Sequence, residues 1–149
     1  MSLPEVGQNA PEFAAVNQDG KLLHLADFKG KKLVLYFYPK DDTPGCTAEA
    51  CDLRDNHERF LKAGYAILGV SPDDAKKHKK FIEKYNLPFD LLADTEQTVA
   101  NAYGVWVEKS MYGRKYMGIA RTTFVIDESG KIESVIEKVD TKNHTSQIL

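Results

Sequence analysis

The chain has 149 residues, 42% of them hydrophobic and 28% charged, the size and make-up of one globular domain around a single core, expected over 1–149. A net charge of −2 and a pI near 6.1 give no general attraction to nucleic acid or to an anionic membrane, so small molecules and proteins are the expected partners. No apolar run approaches the roughly 20 residues that span a bilayer, and Met1–Val6 has no basic stretch followed by an apolar one, so a cytoplasmic protein is expected.

Two cysteines are too few to staple a secreted scaffold; a cytosolic pair is catalytic, redox-active or buried. His24, His57, His78 and His144 occur singly, without the close ligand spacing of structural zinc, so each is expected to be an ordinary surface or core histidine and no metal is expected.

Phe13–Asn17 and Lys21–Leu25 flank Gln18-Asp19-Gly20, and an Asp-Gly turn between short apolar segments reads as a hairpin. Leu33–Tyr38 is an unbroken apolar and aromatic run, the pattern of a central strand covered on both faces. Pro39 stops it, because proline cannot donate to the ladder. Thr43-Pro44-Gly45-Cys46 then has the grammar of a helix start, with Thr as N-cap, Pro at the first helical position and Cys46 at the third. One helix is expected from there to Ala63, its apolar stripe running back through Leu53 to Cys46 and leaving Cys51 about 140° further round.

Gly64 closes that helix and Tyr65–Val70 is a second buried strand. Ser71-Pro72-Asp73-Asp74 reads as the start of a helix to Tyr85, capped by Ser71, with Lys76–Lys80 forming a solvated basic face. Phe89–Ala93 is a short strand, and Asp94 is expected to cap a short helix through Ala102. Val105–Val107 and Thr122–Ile126 are strand-like, separated by a loop or edge hairpin over 108–120. Lys131–Val139 has helix-like spacing beside a turn and is assigned as a strand; Thr141–Leu149 reads as the start of a short helix. Strands alternating with helices imply an α/β fold with a central mixed sheet and flanking helices, and place the turn at Cys46 on the carboxyl edge, where sites collect.

A thiol in the first turn of a helix meets unpaired N–H groups and the positive end of the helix dipole, both of which favour a thiolate. A cation would favour it further, and spacing alone leaves Lys40, Arg54, Arg59, Arg114 and Arg121 as candidates. Cys46 and Cys51 are not a Cys-x-x-Cys pair: on an intact helix their Cα atoms stand roughly 8 Å apart, beyond disulfide reach. A bond between them would require the first turns to unwind after Cys46 is oxidised. The alternative is that both are small buried residues of the helix.

The run from Pro39 through Thr43 to Cys46 resembles the active-site signature of peroxiredoxins, thiol peroxidases on a thioredoxin-like fold. With Thr47, Glu49 and Cys51 it is similar to the peroxiredoxin Q or bacterioferritin comigratory protein group. The resemblance implies a peroxidatic Cys46, a resolving Cys51 that closes an intramolecular disulfide, a Thr43 hydroxyl that orients the peroxide and a Pro39 ring that shields the thiolate. It further implies that Arg121 is the cation and Glu49 a supporting acid, while Trp106 is either a site-flanking or a core aromatic. Expected substrates are hydrogen peroxide and organic hydroperoxides, with thioredoxin or a similar dithiol as reductant and no cofactor, neither metal nor flavin. A resolving cysteine in the same chain removes any catalytic need for a dimer, so a monomer is expected with a dimer permitted. The competing readings are a Cys46-only peroxidase using an external thiol, a disulfide exchanger lacking its usual Cys-x-x-Cys, and a non-enzymatic thiol sensor.

Overall fold

The computed structural model describes residues 3–149; of the leading Met1–Val6 segment, Met1 and Ser2 lie outside the described residues. A short antiparallel hairpin pairs β1 (Ala14–Val16) with β2 (Leu22–His24), as the Asp-Gly turn implies. After it comes β3 (Lys32–Phe37), then helices α1 (Pro44–Asp55) and α2 (His57–Lys62), β4 (Tyr65–Ser71), α3 (Ala75–Tyr85), β5 (Asp90–Ala93) and α4 (Thr98–Ala102). The chain ends with β6 (Trp106–Met111), β7 (Arg114–Ile119), β8 (Thr122–Ile126), β9 (Ile132–Ile136) and α5 (His144–Ile148).

Five strands form the central sheet in the order β5-β4-β3-β8-β9, with β3 parallel to β4 and antiparallel to β8. Strand side chains alternate between faces, so β3 feeds two cores. Leu33, Leu35 and Phe37 pack with Leu68, Val70, Phe124 and Ile126 on one face. Val34, Tyr36 and Tyr38 pack with Cys46, Ala50, Leu53 and Phe60 on the other. The mixed sheet, its flanking helices and the amino-terminal hairpin are those expected of a thioredoxin-like fold. Among the described residues no helix is long and apolar enough to cross a membrane.

Three local readings are corrected. The helix from Thr43 breaks at Asn56, which separates α1 from α2 with φ −111° and ψ 12°; its side-chain amide donates to the Asp52 carbonyl at 2.8 Å and competes with the backbone ladder. Ser71 ends β4 instead of capping α3, and the cap is Asp74, whose carboxylate accepts the Lys77 N–H at 2.8 Å. Asp94 does cap α4, but from a distance: its two oxygens accept the Val99 and Ala100 N–H groups, and the helix begins only at Thr98. Of the two readings of 108–120, a loop or an edge hairpin, the hairpin is found: β6 and β7 pair across Tyr112-Gly113, whose φ values of 52° and 77° are those of a tight turn.

Candidate active site

The turn that carries Cys46 is fixed from both sides. Thr43 takes the N-cap position with extended backbone and its carbonyl accepts the Thr47 N–H at 2.8 Å, while Pro44 fills the first helical position. Its hydroxyl, however, does not cap: Oγ1 donates back to the Lys40 carbonyl at 2.9 Å. The Gly45 and Cys46 N–H groups are left as first-turn donors beside the sulfur. The preceding loop is tied to the sheet and to α3. Tyr38 donates to Asp41 at 2.6 Å, the Asp41 N–H donates to Asp73, and Lys84 and Tyr85 both donate to Asp42. Pro39 stands half-buried where β3 gives way to this loop.

Cys46 is 2% exposed on the inner face of α1. Arg121, one residue ahead of β8, reaches it from across the sheet: Nη2 donates to Cys46 Sγ at 3.2 Å and Nη1 to Glu49 Oε1 at 2.7 Å. The strand register explains the reach, since Phe37 at the end of β3 pairs with Thr122 at the start of β8. The other arginines are spent elsewhere. Arg54 serves Asp55 and the Tyr85 carbonyl, Arg59 serves Asn56, and Arg114 lies exposed on the β6–β7 hairpin. Burial works against the Arg121 charge, but Cys46 and Glu49 outweigh it and hold the guanidinium above its ordinary pKa.

Glu49 lies one turn beyond Cys46 and is fully buried. Burial pushes its carboxyl up to about 7, against the pull of Arg121 and with help from Asp52. Its second oxygen, Oε2, lies 3.5 Å from His144 Nε2 and has no hydrogen-bond partner among the described residues. His144 Nε2 also meets Thr123 Oγ1 at 2.8 Å, and its Nδ1 meets Gln147 Oε1 at 2.7 Å. The same small helix is tied to α1 a second time, where Asp52 Oδ2 accepts the Thr145 N–H at 2.7 Å and its hydroxyl at 2.8 Å.

Cys51 is half-buried on α1, and both thiols are free. Because α1 is continuous from Pro44 to Asp55, the two cysteines keep the roughly 8 Å separation of an intact helix. Thus Cys46, Arg121 and Glu49 are in direct contact, Thr43 and Pro39 stand on the same sheet edge, and Cys51 is not brought to Cys46. Trp106 begins β6, partly buried and packed against the core cluster of Phe37 and Phe124. Lys109, further along that strand, carries no signal in the sequence. Burial and then the Arg121 charge lower its ammonium pKa while Cys46 raises it, so it stands within electrostatic reach of the site.

The histidines read as ordinary divide in two. His78 and His144 are fully buried within polar networks, His78 between Asp41 and the Leu92 carbonyl. No spacing in the sequence could have joined His144 to Glu49.

The AhpC/TSA family model matches residues 6–135. Peroxiredoxin Bcp of Bacillus subtilis is 51% identical over 145 residues, covering 97% of this chain and 92% of that one. A cysteine-to-serine mutant of PrxQ from Xylella fastidiosa superposes with a TM-score of 0.92 at 30% identity, covering 99% of this chain and 94% of its own. The bacterioferritin comigratory protein of Xanthomonas campestris, described for its alkyl peroxide reduction activity, superposes with a TM-score of 0.88 at 34% identity over 99% and 94%. A buried helix-terminal thiol under an arginine, together with these likenesses, leads to one assignment: the chain belongs to the AhpC/TSA family, among the peroxiredoxins of the Bcp and PrxQ kind, which are thiol-dependent peroxidases acting on peroxides with a dithiol reductant.

Proposed function

We propose that Cys46 is the peroxidatic residue and Cys51 the resolving one, in a single domain that reduces hydrogen peroxide and organic hydroperoxides. The observation that carries this reading is the 3.2 Å contact between Arg121 Nη2 and Cys46 Sγ at the amino end of α1. The Cys46 thiolate attacks the terminal peroxide oxygen, the O–O bond breaks, and the alcohol or water leaves with the other oxygen. Arg121 and the first-turn N–H groups are fixed donors toward charge that develops on both oxygens, so little reorganisation is needed as the bond breaks. With its own proton committed to the Lys40 carbonyl, Thr43 Oγ1 keeps lone pairs free to accept the peroxide O–H. Pro39 shields the thiolate, and Glu49 holds Arg121 in place.

Cys46 is then a sulfenic acid. Cys51 attacks it as thiolate, water leaves, and a disulfide forms once the first turns of α1 unwind. An external dithiol, thioredoxin by preference, reduces that bond and is itself oxidised. A monomer in the cytoplasm suffices for the cycle. The test is intact mass under non-reducing conditions after one equivalent of peroxide. Wild type should lose two hydrogens, Cys51→Ser should gain one oxygen, and Cys46→Ser should do neither. A wild-type chain that gains oxygen without losing hydrogens would replace the intramolecular disulfide by a Cys46-only cycle.

A further inference from the structure

We propose that His144, on α5, is a positioning residue for the Cys46 site: with Glu49 it holds one buried proton behind Arg121, and that proton sets how much of the Arg121 charge reaches the sulfur. The inference rests on the reading of Cys46 as the attacking thiol.

The tautomer of His144 follows from its neighbours. Gln147 Nε2 donates to the Lys138 carbonyl at 2.9 Å and Gln147 Oε1 accepts the Asp140 N–H at 2.9 Å, which fixes the amide. An acceptor oxygen therefore faces His144 Nδ1 at 2.7 Å, and Nδ1 carries the proton. In the neutral ring Nε2 is then a lone pair, occupied by the Thr123 hydroxyl at 2.8 Å and facing Glu49 Oε2 at 3.5 Å. Both side chains are 0% exposed, and Oε2 has no other partner among the described residues. Two buried acceptors facing each other repel and leave a carboxylate oxygen unpaired, which is costly in a low dielectric. A proton on Glu49 Oε2 removes both faults.

Burial acts on the two groups in the sense this requires, raising Glu49 to about 7 and lowering His144 from 6.5. The charged and titratable groups around His144 are Glu49 and Asp52 from α1, Arg121 ahead of β8, and Asp140 from the turn before α5. With the proton in place, Glu49 is neutral and the Arg121 charge is undivided. Once the proton is lost, a buried carboxylate 2.7 Å from Arg121 Nη1 competes with the thiolate for the same cation. His144 touches neither Cys46 nor the substrate position; it acts through Glu49.

The experiment measures alkylation of Cys46 by iodoacetamide across pH, in full-length chain carrying Cys51→Ser so that one thiol reports. Glutamine at 144 matches the reach of the ring but cannot take the proton. His144→Gln should slow alkylation about tenfold at neutral pH and erase the inflection near the Glu49 titration. In a Glu49→Gln background the same substitution should change the rate less than about twofold, because the group it acts through is gone. Equal slowing in both backgrounds, or none in either, overturns the proposal. A measurement that does not depend on the fold of the His144 variant is the infrared difference between wild type and Glu49→Gln at pH below the Glu49 titration. It should contain a protonated carboxyl band, and its absence also overturns the proposal. Alkylation needs no peroxide, so a chain that behaves as expected here yet consumes no peroxide would sink the peroxidase reading and leave this one standing.

Discussion

A methyl group on Gly45 would stand 3.2 Å from Arg121 Nη2, the nitrogen that donates to Cys46. Gly45 lies in the first turn of α1, so glycine there weakens the helix start while leaving the guanidinium room. Gly45→Ala should therefore separate stability from reactivity. The helix gains up to about 1 kcal/mol of propensity, seen as a higher urea midpoint. Arg121 must shift by a few tenths of an ångström, and the peroxide rate constant should fall several-fold. Disulfide closure should slow as well, since the turn that must unwind has been strengthened. A variant both more stable and as fast as wild type would remove Gly45 from any role in seating Arg121.

Arg121 bridges Glu49 and Cys46 with two different nitrogens, at 2.7 and 3.2 Å. Lysine can supply the charge but not the fork, so it must choose between Glu49 and Cys46. Arg121→Lys should lose at least about tenfold in peroxide rate, a loss not recovered at high peroxide concentration. Stopped-flow rates across peroxide concentration check this; a rate within twofold of wild type would mean that charge alone suffices.

The parts of this arrangement that the sequence discloses are the local ones. Thr43-Pro44-Gly45-Cys46 announces a helix start because capping and proline preferences act within four residues, and Leu33–Tyr38 announces a central strand because its apolar run is continuous. Arg121 is different: spacing leaves it among several arginines, and only the likeness to a family singles it out before the β3–β8 register shows why it reaches Cys46. The break at Asn56 hides because it depends on one side chain turning back to the Asp52 carbonyl. The docking of α5 hides more deeply, since Asp52 and Thr145 are 93 positions apart and α5 is too short for its own periodicity to speak.

That docking gives a third expectation. Asp52 accepts two hydrogen bonds from Thr145, one of them an otherwise orphan N–H at the start of a five-residue helix. Charge-assisted bonds of this kind contribute about 1.5–3 kcal/mol. Asp52→Ala should cost stability of that order and raise hydrogen exchange at α5 amides before it does so in β3 or β4. It should also ease unwinding of α1, so the Cys46–Cys51 disulfide closes no slower than in wild type. Slower closure would mean that α5 guides the rearrangement instead of resisting it.

The buried pair makes the pH dependence of stability unusual. Glu49 is raised from 4.5 to about 7, so its contribution is whole below 4.5 and lost as pH rises through about 7. His144 is lowered from 6.5, so its contribution is present above 6.5 and lost as pH falls. Just below 6.5 the unfolded chain carries its proton on His144, whereas folding raises Glu49 and lowers His144 and so shifts that proton toward Glu49. The two slopes have opposite signs there and offset each other. Removing one partner at a time separates the two contributions. Glu49→Gln should lose stability as pH drops below 6.5, by up to about 1.4 kcal/mol per pH unit, while His144→Gln, in which Glu49 no longer keeps its proton, should lose most of the wild-type slope between 4.5 and 7. Urea melts of the three chains across the window measure the slopes directly. A His144→Gln chain with little slope left establishes one shared proton, and one that still loses stability from 4.5 toward 7 as steeply as a raised Glu49 requires shows that the groups titrate independently.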